Sequence, residues 1–162
     1  MCAAISETEE TMNTKDRLYI VYGSNLNLEQ MKHRCPTAEV VGMAELRNWR
    51  LWFRGGRHSA VATIERERGF AVPVLIWRIQ PRDEAALDRY EGFPFLYRKE
   101  TLRLTVNGRR VYAMAYIMNE AGHPYGVPSA GYLNTIREGY ESANFDTGVL
   151  YDAVNYSREA AE

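Results

Sequence analysis

Cysteine is nearly absent from this chain: Cys2 and Cys35 are the only two in 162 residues. No disulfide framework and no cysteine-based metal pattern can be built from them. His33, His58 and His123 are the three histidines, and none stands in HxxH or HExxH spacing, so no metal and no metal-dependent chemistry is expected. An excess of either charge is also missing. Lys plus Arg number 20 and Asp plus Glu 21, a net charge of -1, which gives no reason to expect nucleic acid or an anionic membrane as partner. No apolar run approaches the roughly 20 residues of a membrane-spanning helix. The segment Met1 to Asp16 is small, polar and acidic and lacks the apolar stretch of a signal peptide, so a disordered tail and a cytoplasmic protein are expected. Neither a GK[ST] phosphate loop nor a G-x-S-x-G nucleophile elbow occurs.

What is present is globular. Hydrophobic residues make up 46% and charged residues 25%, enough for one domain with a real core, read here as residues 17–156, with 157–162 as a second tail. Nothing in the sequence sets an oligomeric state. Tyrosine is abundant, with eleven against five Phe and three Trp; packing accounts for most of them, and a minority can line a pocket.

Punctuation along the chain divides it into elements. Leu18 to Val21 is a continuous apolar strand, and Asn27 to His33 has helix character. Ala38 to Leu46 and Trp49 to Phe53 read as two extended segments before a break at Gly55-Gly56. Ala60 to Ile64 is a small-residue strand, Glu65 to Arg68 a solvated turn, and Phe70 to Ile79 an apolar strand in which Pro73 marks an edge or a bulge. Pro81, Asp83 and Glu84 open a helix that Gly92 can close. Tyr97 to Val106 alternates, Asn107-Gly108 signals a hairpin, and Val111 to Met118 returns. After a loop over Ala121 to Pro128, Ser129 caps a helix to about Ser142. Asp146 to Tyr156 is weakly specified. One strand, a helix, several strands, a helix, a hairpin and a helix imply an α+β fold: a mostly antiparallel sheet, curled into a small barrel, with peripheral helices.

Two short segments carry the chemistry. Tyr22-Gly23-Ser24-Asn25-Leu26 joins a strand end to a helix start, where unpaired backbone N–H groups and the helix dipole favour an anion such as a carboxylate or phosphate. Glu91 ends the helix that starts near Pro81, beside carbonyls and among Tyr90, Phe93, Phe95 and Leu96. Both settings disfavour its ionised form and raise its pKa toward the range of a general acid/base. Arg47, Arg50, Arg54 and Arg57 form a basic stretch that is either a solvated strand edge or a source of an arginine for a substrate carboxylate. Cys35, ahead of Pro36, reads as a buried structural thiol.

YGSNL after the first strand, followed by Leu87-Asp88-Arg89-Tyr90-Glu91-Gly92 as LDxxEG, resembles the γ-glutamylcyclotransferase superfamily, including its AIG2-like members. His58 to Ile64, ending in ATI, and Pro128-Ser129-Ala130-Gly131-Tyr132, as PSxxY, are similar to further family segments, and the likeness spans most of Arg17 to Gly139. It implies a cofactor-independent reaction in which the α-amine of a γ-glutamyl amide attacks its own γ-carbonyl, giving 5-oxoproline and a free amine. Carried over by position, Glu91 moves protons, and Tyr22, Gly23, Ser24, Asn25 and Leu26 hold the glutamyl part through its α-carboxylate or its oxyanion. Tyr97 and Tyr132 resemble tyrosines that line the family's pocket. YGSN in place of YGSL argues against the glutathione-specific branch. The bulky Phe93-Pro94-Phe95-Leu96 loop points to an apolar or aromatic leaving amine. The alternatives are a non-catalytic module binding a γ-glutamyl or other small anion on the same scaffold, and a phosphate- or nucleotide-binding protein using the GSN turn.

Overall fold

Two long strands dominate the architecture. In the computed structural model, which describes residues 15–162, β1 (Arg17–Val21), a 3-10 turn (Ser24–Leu26) and α1 (Leu28–Arg34) lead into β2 (Glu39–Gly55) and β3 (Ala60–Ile79). Then come α2 (Pro81–Tyr90), β4 (Tyr97–Val106), β5 (Arg109–Met118), α3 (Ala130–Ser142) and α4 (Thr147–Ala160). The expected N-terminal tail, with Cys2, lies outside the described residues up to position 14.

The five strands form one sheet in the order β2-β3-β1-β5-β4. β1 runs antiparallel to β3, Val21 facing Leu75, and parallel to β5, Tyr19 facing Met114. The architecture is therefore α+β with a mostly antiparallel sheet. Closure into a barrel was expected, but among the described residues no ladder joins the edge strands β2 and β4. The turn after β4 reaches β2 through a side chain, Asn107 Nδ2 donating to the Val41 carbonyl at 3.2 Å.

The segments Ala38 to Leu46 and Trp49 to Phe53 are parts of the single strand β2, and Gly55-Gly56 opens the turn into β3, whose Ala60 pairs with Gly55. Glu65 to Arg68 is not a turn. Glu65 and Arg66 stay in the ladder opposite Arg50 and Trp49, and the register then jumps to Arg47 opposite Ala71. The extra residues form a bulge around Gly69, at φ 90°, whose N–H donates to Asn48 Oδ1 at 3.2 Å. The charges that suggested solvent are cross-strand pairs: Arg50 with Glu67 at 3.0 Å and Arg54 with Glu65 at 3.1 Å. A bulge absorbs the polar insertion without ending the strand. Pro73 faces Glu45 of β2 but lies past the end of β1, where its other side needs no ladder donor.

The helices fasten this sheet. Leu87 of α2, Ile136 and Tyr140 of α3, and Leu150 of α4 are completely buried against it. The weakly specified C-terminal segment is α4, begun by Asp146, whose side chain accepts from Gly148 N. The tail assigned from residue 157 continues this helix to Ala160. Ser157 is buried, its Oγ accepting the Phe53 N–H at 2.9 Å. No helix among the described residues is long and apolar enough to cross a membrane.

Candidate active site

The N-terminal half of β3 extends past β1, so main-chain groups at Ala62 have no strand beside them on that side. Tyrosines fill the gap. Tyr132 Oη, from the first turn of α3, accepts the Ala62 N–H at 3.0 Å, and Tyr97 Oη, from the start of β4, donates to the Ala62 carbonyl at 2.6 Å. Tyr22, just after β1, donates its hydroxyl to the Tyr116 carbonyl on β5. These bonds leave a cavity of about 200 Å³ between the end of β1, the Ala60–Ile64 segment and α2. Tyr19, Tyr22, Tyr90, Tyr97, Tyr116 and Tyr132 all line it, together with Gly23, Ser24, Asn25 and Glu91.

The turn after β1 does not deliver the α-helix N-terminus expected of it. Gly23 precedes a 3-10 turn, Ser24–Leu26, and α1 begins only at Leu28, capped by Asn27, whose side chain accepts from Gln30 N. The cavity is therefore lined by Ser24 and Asn25 of this turn, whose amides have no partner within so short a helix. Gly23 is required for close approach. A Cβ there would stand 3.2 Å from the Ala62 Cβ and 3.8 Å from Tyr132 Oη. Leu26 does not face the cavity. It is fully buried in the core, where a Cβ on Gly139 of α3 would come within 2.6 Å of it.

Glu91 owes its position to the end of α2. Phe93 N donates to Asp88 O at 3.0 Å and Gly92 N to Arg89 O at 3.4 Å, with Gly92 at φ 62°. This double closure fixes the chain direction just past the helix and places the Glu91 carboxyl at the cavity wall. Burial pushes that carboxyl up to about 7, opposed by the guanidinium of Arg34. The surrounding hydroxyls are held neutral: burial raises Tyr22 and Tyr97 well above their ordinary value, and the Glu91 charge adds to it.

The model of the family described as "Gamma-glutamyl cyclotransferase, AIG2-like" matches residues 19–134, a span holding every cavity residue named above. The chain belongs to the AIG2-like γ-glutamylcyclotransferase family. A mouse protein named Gamma-glutamylcyclotransferase is 28% identical over 128 residues, 74% of this chain and 67% of that one. A bovine protein of the same name is 32% identical over 82 residues, 46% of this chain and 44% of that one, so the match spans under half of the bovine relative. The fold recurs in the crystal structure of an uncharacterized human protein at a TM-score of 0.74, with 24% identity over 91% of this chain and 89% of that one. A structure named Gamma-glutamyl cyclotransferase gives 0.73, with 23% identity over 91% of this chain and 88% of that one.

In this member of the AIG2-like family, the structure brings together Glu91, Tyr22, Gly23, Ser24, Asn25, Tyr97 and Tyr132 and leaves out Leu26. The arginine stretch is also left out. Arg54 is bound to Glu65 and stacked on Tyr125, and Arg50 lies against Trp52, Phe70 and Tyr156. None of Arg47, Arg50, Arg54 and Arg57 lines the cavity. Of the bulky loop only Leu96 does; Phe95 is 87% exposed, and Phe93 sits beneath Lys99 Nζ at 4.3 Å. Sequence reasoning missed Tyr19, Tyr116 and Arg34. Tyr19 lay hidden in an apolar strand. Tyr116 donates to Asp88 of the LDxxEG segment, a partner that only the fold reveals.

Proposed function

We propose that this protein converts a γ-glutamyl amide to 5-oxoproline and a free amine without a cofactor, with Glu91 as general acid/base. One observation carries the reading: a carboxyl pushed up to about 7 stands in the wall of a tyrosine-lined cavity, beside the YGSN turn. Nucleophile and electrophile belong to one substrate, so the protein's work is to fold the glutamyl chain and to move protons. Two protons leave the α-nitrogen and two reach the departing amine. A carboxyl titrating near neutrality can accept and return each in turn. The amine's attack forms the ring C–N bond and moves the carbonyl electron pair onto oxygen; its return expels the leaving amine.

Hydroxyl bookkeeping gives the tyrosines roles. Tyr132 already accepts from Ala62 N, so its own proton is available to the substrate's carboxylate or developing oxyanion. Tyr97 donates to Ala62 O, so its oxygen is the acceptor offered to an ammonium. The Ser24 and Asn25 amides supply further donors to an anionic oxygen. Leu96 and Val61 make part of the wall apolar, which suits an apolar leaving group.

The test is a panel of γ-glutamyl amines and peptides assayed for 5-oxoproline, with Glu91→Gln alongside. The amide is nearly isosteric and carries no proton, so the rate should fall roughly 10²–10⁴-fold while 5-oxoproline still binds. Wild-type kcat/KM should rise with pH through about 7 as the carboxyl becomes the base. A loss under about threefold in the variant, or a flat profile between pH 6 and 8, removes Glu91 from the mechanism. Binding of γ-glutamyl analogues without any turnover across the panel would favour the non-catalytic module.

A further inference from the structure

Arg34, the last residue of α1, is held on three sides. Its guanidinium lies over the Tyr90 ring, Cζ 3.5 Å from the centroid. One nitrogen donates to Asn25 Oδ1 and the other to Gln30 Oε1 at 2.7 Å. Asn25 in turn donates to Tyr19 Oη at 2.9 Å. Arg34 thus ties the YGSN turn to the end of α2 from behind the cavity, gripping Asn25 and Tyr90, which both line it, next to Glu91. Among the described residues, no Lys, Arg or His lines the cavity itself. A γ-glutamyl ligand brings a carboxylate to a site that already holds Glu91, and like charges in a partly desolvated space repel unless a cation is near.

We propose that Arg34 is the positioning residue of this site: it braces Asn25 and Tyr90 as one wall and supplies the fixed positive charge that offsets Glu91 and the ligand carboxylate. The inference rests on the cyclotransferase reading for the identity of the ligand, but not for the bracing or the charge. The groups facing Glu91 are the hydroxyls of Tyr19 and Tyr22 from the β1 side, Tyr90 from α2, Tyr97 from β4 and Tyr132 from α3. Burial raises Tyr19, Tyr22, Tyr97 and Tyr132 above the ordinary tyrosine value, which keeps these four neutral at physiological pH. On the β5 wall Tyr116 binds Asp88, which is already neutralised by Lys99 at 2.8 Å. Arg34 is therefore the uncompensated charge that acts on Glu91, and it favours the ionised carboxylate.

Arg34→Met removes charge and bracing; Arg34→Lys keeps the charge but cannot stack as a plane or hold two acceptors as a fork. Tyr90→Leu removes the stack together with the Tyr90 Oη contact to Ser24 Oγ at 3.3 Å and leaves the charge; Tyr90→Phe removes that contact alone and keeps the stack. Glu91 is titrated directly by carboxyl NMR in each folded variant, without substrate. Arg34→Met should move the Glu91 midpoint up by about one pH unit, and Arg34→Lys by much less. In turnover, the acid limb of kcat for Arg34→Met should follow that shift, costing about fivefold at pH 7 and recovering by about pH 8.5, while its KM stays raised across the range. Arg34→Lys and Tyr90→Leu should act mainly on KM. A Glu91 midpoint unmoved in Arg34→Met, or moved equally by Met and Lys, overturns the charge role. KM unchanged in both Arg34→Lys and Tyr90→Leu overturns the bracing role. If no substrate in the panel yields 5-oxoproline, the NMR midpoints and calorimetry with 5-oxoproline still decide the proposal, and only the reaction assigned to the site is lost.

Discussion

A carboxyl kept protonated up to about 7 inside a fold is a cost to that fold once it ionises. For Glu91 the folded pKa stands above the ordinary value of 4.5. Between those two values the native state holds a proton that the unfolded chain has released. Stability contributed by the protonated form is complete below about 4.5 and is lost as pH rises through 7. Glu91→Gln, which cannot ionise, should match wild type near pH 4 and exceed it near pH 8 by on the order of 1–3 kcal/mol. Chemical denaturation at the two pH values measures this. Equal stabilities at pH 8 would mean that the native carboxyl titrates normally. The same variant that loses turnover is thus expected to gain stability. The place of this residue was legible in the sequence, because Pro81 and Gly92 set the helix end locally; the burial that raises it was not, because Tyr19, Tyr22, Tyr97 and Tyr132 come from other elements while Phe95 is exposed. Arg34 was not legible. Its partners Asn25, Tyr90 and Glu91 come from separate segments, and its own helix gives no hint of which face meets them.

Among the elements, α3 is the one whose sequence misleads if read by propensity. Gly139 lies inside it, where alanine would ordinarily stabilise by about 1 kcal/mol. Here the missing side chain is the contact. An added Cβ would approach the Leu26 backbone carbon to 2.6 Å and the Asn27 nitrogen to 2.9 Å, and both belong to the turn that follows β1. Asn27 is fastened to α3 as well, donating to Thr135 O at 3.2 Å and Glu138 Oε2 at 3.0 Å. Neither segment can yield cheaply. Gly139→Ala should therefore lower stability by about 1–3 kcal/mol and weaken 5-oxoproline binding, because the turn it displaces carries Ser24 and Asn25. Thermal unfolding and calorimetry check the two parts; a stabilised variant with unchanged affinity would show that the turn accommodates the methyl. Most elements could be read from capping and turn residues, whose physics is local. The long β2–β3 hairpin could not. A run of charges looks the same whether it meets water or its opposite across a ladder, and only the register of Arg50 with Glu67 and Arg54 with Glu65 distinguishes them.

Across the whole molecule, the cavity and the C-terminal helix bear on opposite strands of one rung of the β2–β3 hairpin, where Phe53 pairs with Ala62. The cavity uses the Ala62 segment, whose free main-chain groups are met by tyrosines. α4 instead packs on β2, burying Leu150, Ala153 and Val154 and giving Ser157 Oγ as acceptor to the Phe53 N–H at 2.9 Å. That hydroxyl does for β2 what Tyr132 does for β3. It satisfies a buried backbone donor that no strand reaches, which explains why a polar residue is fully buried in a segment that sequence reading took for a tail. Removing it leaves the donor unpaired, and such a group costs about 1–3 kcal/mol. Ser157→Ala should lower stability by that amount with kcat and KM near wild type, since Phe53 does not line the cavity. Phe53 does meet Tyr132 edge-on, with ring centroids 6.5 Å apart, so a route to the site exists if β2 shifts. Unfolding curves together with steady-state kinetics separate the outcomes. A loss of stability alone places α4 in the scaffold. An equal loss of turnover, measured well below the unfolding transition, would mean that the Phe53–Tyr132 contact transmits the position of α4 into the site.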